Sequence, residues 1–449
     1  MRGRRRDWAL ETRPTESRHV WRTLAWQISI AATVIIPLLI DWQGADSFRL
    51  PKQAAFDGFS IAVLAVIAIA AILGKVTRQD APAFGWYYIA LASWTIVTVV
   101  AASQQVLAMH AVLSIFGGMA ITAVVSLEKD RPLRSVFALL IPASLNGILY
   151  VLQELRIWNP FIRLDEFIAQ TAGIGRDWRK EIHAMSTALL GNPSDVAGFF
   201  LPVVLAVAAL AVTDRRRRPI FLALAVLVAG LVVNTRSLTT VFAMIAALFV
   251  LATLISRKAF VAAVTVSLCG AALLLFYGPL RSKLRDAAED WKAQRYGRLF
   301  TSRLPAFAAA WEMIADHPVA GVGPGCFKFD YFDYKLRAET RHPWMLDSEA
   351  RQGNFAEVHN DHLQVSAEMG IPGYFLFLAG LALLGSCSFK RRPNDALRDA
   401  RAEFSRLCSL PLAVSFAVLA IGQFPLELPA VLIGFLYLAG LNIAWSDPR

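Results

Sequence analysis

The sequence has little charge and little cysteine. Charged residues account for 18% of its 449 residues and hydrophobic residues for 56%, whereas about a quarter of the residues in a soluble domain are charged. This balance excludes a soluble globular protein and predicts an integral membrane protein. Of the four cysteines, only Cys326 falls in a large predicted external loop, and no Cys-x-x-C motif is present. We therefore expect neither a disulfide framework nor cysteine chemistry.

Motifs for metals and nucleotides are also missing. There is no His-Glu-x-x-His motif and no cysteine near His359 and His362, so metal binding by these histidines is not favoured. The glycine-rich segment 321–325 has the composition of a phosphate-binding loop, but no strand precedes it. A tight backbone turn is the favoured interpretation. We predict no metal, no cofactor and no nucleic-acid partner.

Apolar runs long enough to cross a bilayer recur through almost the whole chain. We predict an all-α polytopic membrane protein with about twelve transmembrane helices. These lie near 24–40, 55–73, 83–102, 105–126, 135–152, 195–213, 219–234, 237–255, 259–278, 371–388, 407–422 and 425–444. A large helical loop at 279–370 separates spans nine and ten, and a shorter external loop covers 153–194. Residues 1–23 are a basic tail, 24–278 contain spans one to nine, and 371–449 contain the last three spans.

The basic residues predict the orientation of these spans. Lys and Arg number 45 against 34 Asp and Glu, a formal net charge of +11. Basic clusters lie in the N-terminal tail and after spans two, four, six, eight and ten. With twelve spans all these clusters fall on one side, so both termini are predicted to be cytoplasmic and the two long loops external. The first apolar run has no small-residue cleavage site and is predicted to be a retained anchor.

A dense polar cluster precedes span ten. Its members are His359, Asn360, Asp361, His362, Gln364 and Glu368. If 360–369 is helical, Asn360, Gln364 and Glu368 lie on one face, while Gly370 and Pro372 separate this helix from span ten. A catalytic site is favoured here, and a purely structural polar network at the membrane surface is the alternative.

Other polar residues lie close to predicted span ends. Arg236 is in a turn with almost no loop between spans seven and eight, where a charged side chain needs a partner or a ligand. Binding of a phosphate by its planar guanidinium is favoured over contact with lipid headgroups. Asn192 and Pro193 predict a turn into an N-capped helix. Glu427, between two prolines, predicts an irregular start of the last span.

The order and spacing of these motifs resemble those of the bacterial O-antigen ligase and O-antigen polymerase superfamily, over most of the chain and most closely from about 191 to 373. The motifs are Gly191-Asn192-Pro193, Thr235-Arg236-Ser237, Arg303 ahead of Trp311 and His317-Pro318, His359 to Gln364 with Glu368, Gly370 and Gly373, and Phe424-Pro425-Leu426. The resemblance implies a GT-C-like fold with a large periplasmic loop, related to membrane glycosyltransferases that use polyprenyl-linked donors.

It also implies an activity: transfer of a glycan from undecaprenyl pyrophosphate to a sugar hydroxyl, at the periplasmic face of the bacterial inner membrane, without a nucleotide sugar or a metal. The family's essential residues would be Arg236, Arg303 and His359. Arg298 is an alternative to Arg303. The residues expected to bind or support substrate are Arg298, Asn192, Asn360, His362, Gln364 and Glu368.

Transfer from a pyrophosphate makes modest chemical demands. The leaving group needs stabilisation of its negative charge, which Arg236 and Arg303 can supply. The acceptor hydroxyl needs a base, and His359 has a suitable pKa. Direct displacement would invert the anomeric carbon. The acceptor is lipid A–core for a ligase, which we favour, or a lipid-linked repeat unit for a polymerase.

A twelve-span transporter of a lipid-linked glycan is the hypothesis from another class. Transporters generally place polar binding groups near the bilayer midplane, in matching halves of the chain. Here the charged and histidine residues are predicted at the external surface and in one long loop. Glycosyl transfer is therefore favoured.

Overall fold

The computed structural model describes residues 20–41, 46–161, 186–265, 285–286, 288–293, 295, 303–341, 354–390 and 400–446. Every regular element in these ranges is helical. We number the helices α1 Val20–Ile35, α2 Arg49–Ile72, α3 Gly85–Val100, α4 Gln105–Ser126, α5 Phe137–Glu154, α6 Pro193–Thr213, α7 Arg218–Asn234, α8 Leu238–Ile255, α9 Leu304–Asp316, α10 Phe327–Arg341, α11 Asp361–Ser386, α12 Ala400–Gly422 and α13 Pro429–Ser446. Short 3-10 turns follow or precede several of them, including Pro425–Glu427 before α13.

Within the described ranges, nine helices are long and apolar enough to cross a membrane, and α3 and α7 are shorter apolar helices. This confirms an all-helical, multi-pass membrane protein. Of the predicted ninth span, 259–278, only the part up to residue 265 is described, and that part is helical. The count of twelve spans, the side of each loop and the location of the termini stay predictions.

Two helices, α6 and α13, lie at the centre of the bundle. In each, 83% of the spanning window is buried, compared with 28% for α2. A helix surrounded by other helices needs no polar face, and both are apolar on nearly every side. The core clusters around them, with α12 packed along α8 and α13, and with α4 packed along α2 and α13.

At one end of this bundle, which we call the polar end, polar residues from several helix ends meet. Contacts between element ends define it. Arg49 at the start of α2 lies 4.0 Å (Nε to Oδ2) from Asp195 at the start of α6. The backbone of Ser103, between α3 and α4, donates to the Val322 carbonyl at 2.9 Å. The helices thus bring their polar ends together although these residues are distant in the sequence.

Helix α11 is broken at Gly370, which has φ 68° and ψ −179°. The segment after α9 supplies the missing partners: Ile371 N–H donates to the Pro318 carbonyl at 2.8 Å, and Val322 N–H donates to Ala367 at 2.9 Å. A Cβ at position 370 would lie 1.9 Å from the Val319 carbonyl oxygen, so only glycine fits. The break confirms the predicted separation of a polar helix from span ten.

The glycine-rich segment packs on that break. Gly321 and Gly323 have positive φ, and Gly323 N–H donates to the Glu368 carbonyl at 2.9 Å. A Cβ at Gly321 would lie 2.3 Å from the carbonyl carbon of Glu368. The segment therefore serves as a tight turn against another backbone, as its sequence predicts.

Candidate functional site at the polar end of the bundle

His359 lies two residues before α11, with a positive φ of 58°. Its ring meets Phe424 edge to face, with centroids 4.4 Å apart, and Phe355 at 5.8 Å. Among the described residues, its buried Nδ1 has no hydrogen-bond partner. Burial, and then the positive charges of Arg303 and Arg49, lower the pKa of His359 to about 4. The imidazole is therefore neutral near pH 7, which is the form that can accept a proton.

Arg303 stands at the N-cap of α9. Its Nη1 donates to the Gly422 carbonyl at the end of α12, at 2.7 Å. Since a guanidinium has five N–H donors, this bond fixes the side chain and leaves donors for a ligand. The structure thus places a permanent positive charge close enough to His359 to affect its pKa.

Arg49 is a member of this site that the sequence reasoning missed. Its guanidinium lies over the Phe424 ring, 4.9 Å from the centroid, on the same aromatic residue that the His359 ring contacts. Its Nη1 lies 3.6 Å from Glu357 Oε1. One signal was available: a basic residue at the start of a span that is predicted to be external departs from the positive-inside rule.

The segment from Gly422 to Glu427, which we call the 422–427 turn, connects the parts of the site. Gly422 accepts from Arg303, and Phe424 packs against His359. Gln423 Nε2 donates to the hydroxyls of Ser237 at 2.8 Å and Thr240 at 2.9 Å. The turn before α8, which carries Arg236, is therefore tied to the same segment.

Arg236 has a positive φ of 59° and an exposed side chain. It is placed at the polar end by its neighbour Ser237, which is bonded to Gln423. It is not among the charges that act on His359, which are those of Arg303 and Arg49. The structure thus places Arg303 close enough to His359 to lower its pKa. It ties the turn that carries Arg236 to the 422–427 turn through the bond between Ser237 and Gln423.

Two polar residues of α11 hold its first turn. Asn360 is the N-cap, and its side-chain oxygen accepts from Leu363 N–H at 3.0 Å. Gln364 accepts from Val358 N–H at 3.0 Å and donates to Glu427 at 3.2 Å. Since Val358 precedes His359, these bonds fix the backbone that carries the candidate base.

Glu368 lies on the same face of α11, as predicted. Its two carboxylate oxygens accept from the backbone N–H groups of Gly325 at 2.8 Å and Phe327 at 3.2 Å. Both groups lie at the start of α10, where a helix has unpaired N–H donors. Glu368 therefore fixes α10 to α11, and any contact with substrate is in addition to this role.

The remaining predicted residues fall in different places. His362 Nε2 is 2.9 Å from the Ala417 carbonyl, and its ring packs on Tyr374 and Phe377, so it supports the contact of α11 with α12. Asn192 caps α6 by accepting from Ser194 N–H at 2.8 Å, which confirms the predicted helix start. Arg298 lies outside the described residues.

Among the described residues, no group of three or more His, Cys, Asp or Glu side chains is placed to hold a metal ion. The charged groups that surround His359 are instead the two arginines Arg49 and Arg303. Positive charge at this site is therefore supplied by side chains that stay charged at any physiological pH.

The fold and site define a multi-pass membrane protein with a neutral histidine and arginines at one end of its helix bundle. Residues 201–378 match the family model described as O-antigen ligase, and this match supports membership of the O-antigen ligase superfamily, a family of membrane glycosyltransferase-type enzymes. The resemblance inferred from the sequence motifs is thereby confirmed. The search of curated proteins found no match.

The matched region contains Arg236, Arg303 and His359 but ends before the 422–427 turn and begins after Arg49. Arg49 is the part of the site that only the three-dimensional structure adds. The structure also shows that the 422–427 turn, whose Phe424-Pro425-Leu426 motif is visible in the sequence, contacts His359 and Arg303.

Proposed function

We propose that the protein transfers a glycan from undecaprenyl pyrophosphate to a sugar hydroxyl, with inversion and without a metal ion. The observation that carries the proposal is a neutral His359 close to the guanidinium of Arg303, with a ring nitrogen that has no hydrogen-bond partner in the described part of the chain. A base and a permanent positive charge are the two groups that this reaction needs. The family match restricts the donor to lipid-linked glycans in general terms.

In the proposed reaction, His359 takes the proton of the acceptor hydroxyl as the hydroxyl oxygen forms a bond to the anomeric carbon. The bond between that carbon and the pyrophosphate oxygen breaks, and its electron pair stays on the departing pyrophosphate. Arg303 and Arg236 stabilise the negative charge there. Low pKa makes His359 a weaker base than free imidazole, but pyrophosphate is a good leaving group and little driving force is needed.

The proposed location is the periplasmic face of the bacterial inner membrane, with both termini cytoplasmic. The proposed acceptor is lipid A–core, as in O-antigen ligation, and a lipid-linked repeat unit, as in polymerisation, is the alternative. Polar groups gathered at one end of the bundle favour transfer over transport, since transporters hold substrate near the midplane.

The test uses purified protein, an undecaprenyl-pyrophosphate-linked glycan and lipid A–core, and it measures the new glycosidic bond. We expect His359→Ala to lower turnover by about 10²-fold to 10⁴-fold. His317→Ala, which removes an exposed histidine at the end of α9, is the matched control and retains activity. Full activity in excess EDTA is expected. Retained activity in His359→Ala, or strict dependence on a divalent metal, would overturn the proposal.

A deletion strain examined on lipopolysaccharide gels separates the two acceptors. Loss of all O-chain, with polymer left on the lipid carrier, identifies a ligase. Core bearing a single repeat unit identifies a polymerase and contradicts the acceptor that we propose.

A further inference from the structure

The backbone at Arg236 is held in a conformation that its residue type disfavours. Its φ is 59°, in the left-handed region that few residues other than glycine adopt. Of the described residues, five that are not glycine have a positive φ, and His359 is another of them. Such a conformation costs free energy and persists only where the surrounding structure imposes it. The contacts on each side of Arg236 therefore determine where its side chain leaves the backbone.

On the N-terminal side of Arg236, the last turn of α7 anchors the chain. Asn234 Nδ2 donates to the Tyr150 hydroxyl of α5 at 3.1 Å. The Thr235 hydroxyl donates to the Val232 carbonyl of α7 at 2.7 Å. This side of the turn is therefore fixed to α5 and α7, and the chain reaches Arg236 from a defined position.

On the C-terminal side, the amide of Gln423 holds the start of α8. Its Nε2 donates to Ser237 Oγ at 2.8 Å and to Thr240 Oγ1 at 2.9 Å, and the two hydroxyl oxygens are 2.9 Å apart. Ser237 is the N-cap of α8, but its hydroxyl makes no capping bond within that fully described helix. The residue that directly follows Arg236 is thus held from outside its own helix, by Gln423.

The residue before Gln423 holds the other arginine of the site. The Gly422 carbonyl accepts from Arg303 Nη1 at 2.7 Å. Two consecutive residues of the 422–427 turn thus contact Arg303 and the neighbour of Arg236. Because the peptide unit between them is planar and consecutive Cα atoms are about 3.8 Å apart, one short segment sets the spacing between Arg303 and the turn that carries Arg236.

Gln423 is enclosed by protein. The residue is 4% exposed. A Cβ at Gly198 would lie 3.3 Å from Gln423 Oε1, so this oxygen faces α6. Within the part of the chain that the structure describes, the oxygen has no hydrogen-bond partner. Because a buried polar atom without a partner lowers stability, the net contribution of the amide to stability is small, and its effect is on position.

We propose that Gln423 is a positioning residue for the transfer reaction, which fixes Arg236 through Ser237 and Thr240 at a set spacing from Arg303. This inference rests on the proposed function, in which both guanidiniums stabilise the same departing pyrophosphate. The oxygens of a pyrophosphate lie at defined separations, so donors held at a matching separation stabilise its charge best. Gln423 acts through Arg236 and does not itself contact the substrate.

The first test measures the turn directly, by hydrogen exchange of the full-length protein in lipid nanodiscs. Gln423→Met keeps the length of the side chain but removes both donors. We expect amide exchange at 235–241 to become at least about fivefold faster in this variant, because the start of α8 opens more often, and exchange in α9 to stay unchanged. Unchanged exchange at 235–241 overturns the proposal.

The matched control for this test is Asn442→Leu in α13. Asn442 is also a buried amide, and its Nδ2 donates to the Leu438 carbonyl of its own helix at 2.9 Å. We expect exchange at 235–241 to stay unchanged in this variant. Ser237→Ala, which removes one of the two hydroxyls that Gln423 contacts, is the second test variant in case Gln423→Met does not fold. We expect it to change exchange in the same direction.

Kinetics then show whether this position matters for transfer. We expect Gln423→Met to lower kcat about tenfold, because a small displacement of a charged group is costly in a transition state, and to leave KM for the acceptor unchanged. Asn442→Leu is expected to retain kcat even if its unfolding temperature falls. Faster exchange with an unchanged kcat in Gln423→Met, or an equal loss of kcat in Asn442→Leu, overturns the proposal.

A double-mutant cycle tests whether Gln423 acts through Arg236. In an Arg236→Ala background we expect Gln423→Met to lower kcat by less than about twofold, because the residue that it positions is gone. In an Arg303→Lys background the loss is expected to remain about tenfold. Equal losses in both backgrounds overturn the proposal. If the wild type forms no glycosidic bond, the proposed function fails, while hydrogen exchange still decides whether Gln423 holds the turn.

Discussion

The rings of His359 and Phe424 meet edge to face with their centroids 4.4 Å apart. Phe424 is 4% exposed, and Arg49 covers its ring. The base proposed for the reaction is therefore oriented by an aromatic residue of the 422–427 turn, which precedes the last helix. Substitution of Phe424 tests how the base is oriented, whereas substitution of Arg49 tests its protonation state.

Phe424→Ala removes the surface on which His359 rests. We expect the free energy of unfolding to fall by about 3 kcal/mol, which is typical of a buried phenylalanine, and kcat to fall about tenfold with KM nearly unchanged. Phe424→Tyr keeps the ring and retains most of the activity. Thermal unfolding in detergent and steady-state kinetics measure the two effects, and an unchanged kcat in Phe424→Ala would show that the ring does not orient the base.

The pH dependence of turnover reports the state of His359. Its pKa of about 4 means that the imidazole stays neutral above that pH and becomes protonated below it. The acid limb of the kcat/KM profile is therefore expected near pH 4, well below the usual value of about 6.5 for histidine. An acid limb near pH 6.5 would contradict a base that is buried beside two arginines.

The charge of Arg49 contributes to that low pKa. Arg49→Met removes a positive charge beside His359, so protonation of the imidazole becomes easier and its pKa rises. We expect the acid limb to move to higher pH in this variant. Arg218→Met, at the start of α7, is the control and leaves the profile unchanged. Loss of activity without any shift of the limb would assign Arg49 to substrate binding alone.

Arg236→Lys tests the need for a planar guanidinium. Lysine keeps the positive charge but loses the two parallel N–H groups that fit phosphate oxygens. We expect turnover to fall by about 10-fold to 100-fold while expression and unfolding temperature stay the same, because the side chain is exposed. Near-normal turnover would indicate that a point charge is sufficient there.

Gly370→Ala tests the break in α11. Its Cβ would lie 1.9 Å from the Val319 carbonyl oxygen and its φ of 68° is unfavourable for alanine. We expect the free energy of unfolding to fall by about 3 kcal/mol. Gly230→Ala, in an open helical position, is expected to be neutral or to stabilise by up to about 1 kcal/mol. Equal unfolding temperatures for both variants would contradict the tight packing at the break.

Local signals in the sequence predicted much of this arrangement. Long apolar runs predicted the helices, Asn360 and Asn192 predicted helix starts, and Gly370 predicted the break in α11. Each of these features depends on residues that are close in sequence. The prediction of Glu368 on the polar face was correct, although its bonds to Gly325 and Phe327 depend on a distant loop.

The parts that the sequence did not predict depend on packing between distant segments. Arg49 reaches the site only because the start of α2 lies against Phe424. Arg303 donates a hydrogen bond to the backbone carbonyl of Gly422. Every residue has a backbone carbonyl, so the sequence does not indicate which one accepts this bond. The sequence shows Phe424 and Glu427 as separate features. It does not show that Phe424 contacts His359 or that Glu427 accepts a hydrogen bond from Gln364.

The 422–427 turn has a consequence for how the protein is made. Translation produces Arg236, Arg303 and His359 before α12 has left the ribosome. The residues that contact this part of the site are made afterwards: Gly422 accepts from Arg303, Phe424 packs against His359, and Gln423 bonds to Ser237 next to Arg236. The site is therefore assembled only when the last two helices enter the membrane. A nascent chain released before that step carries all three residues and has no site.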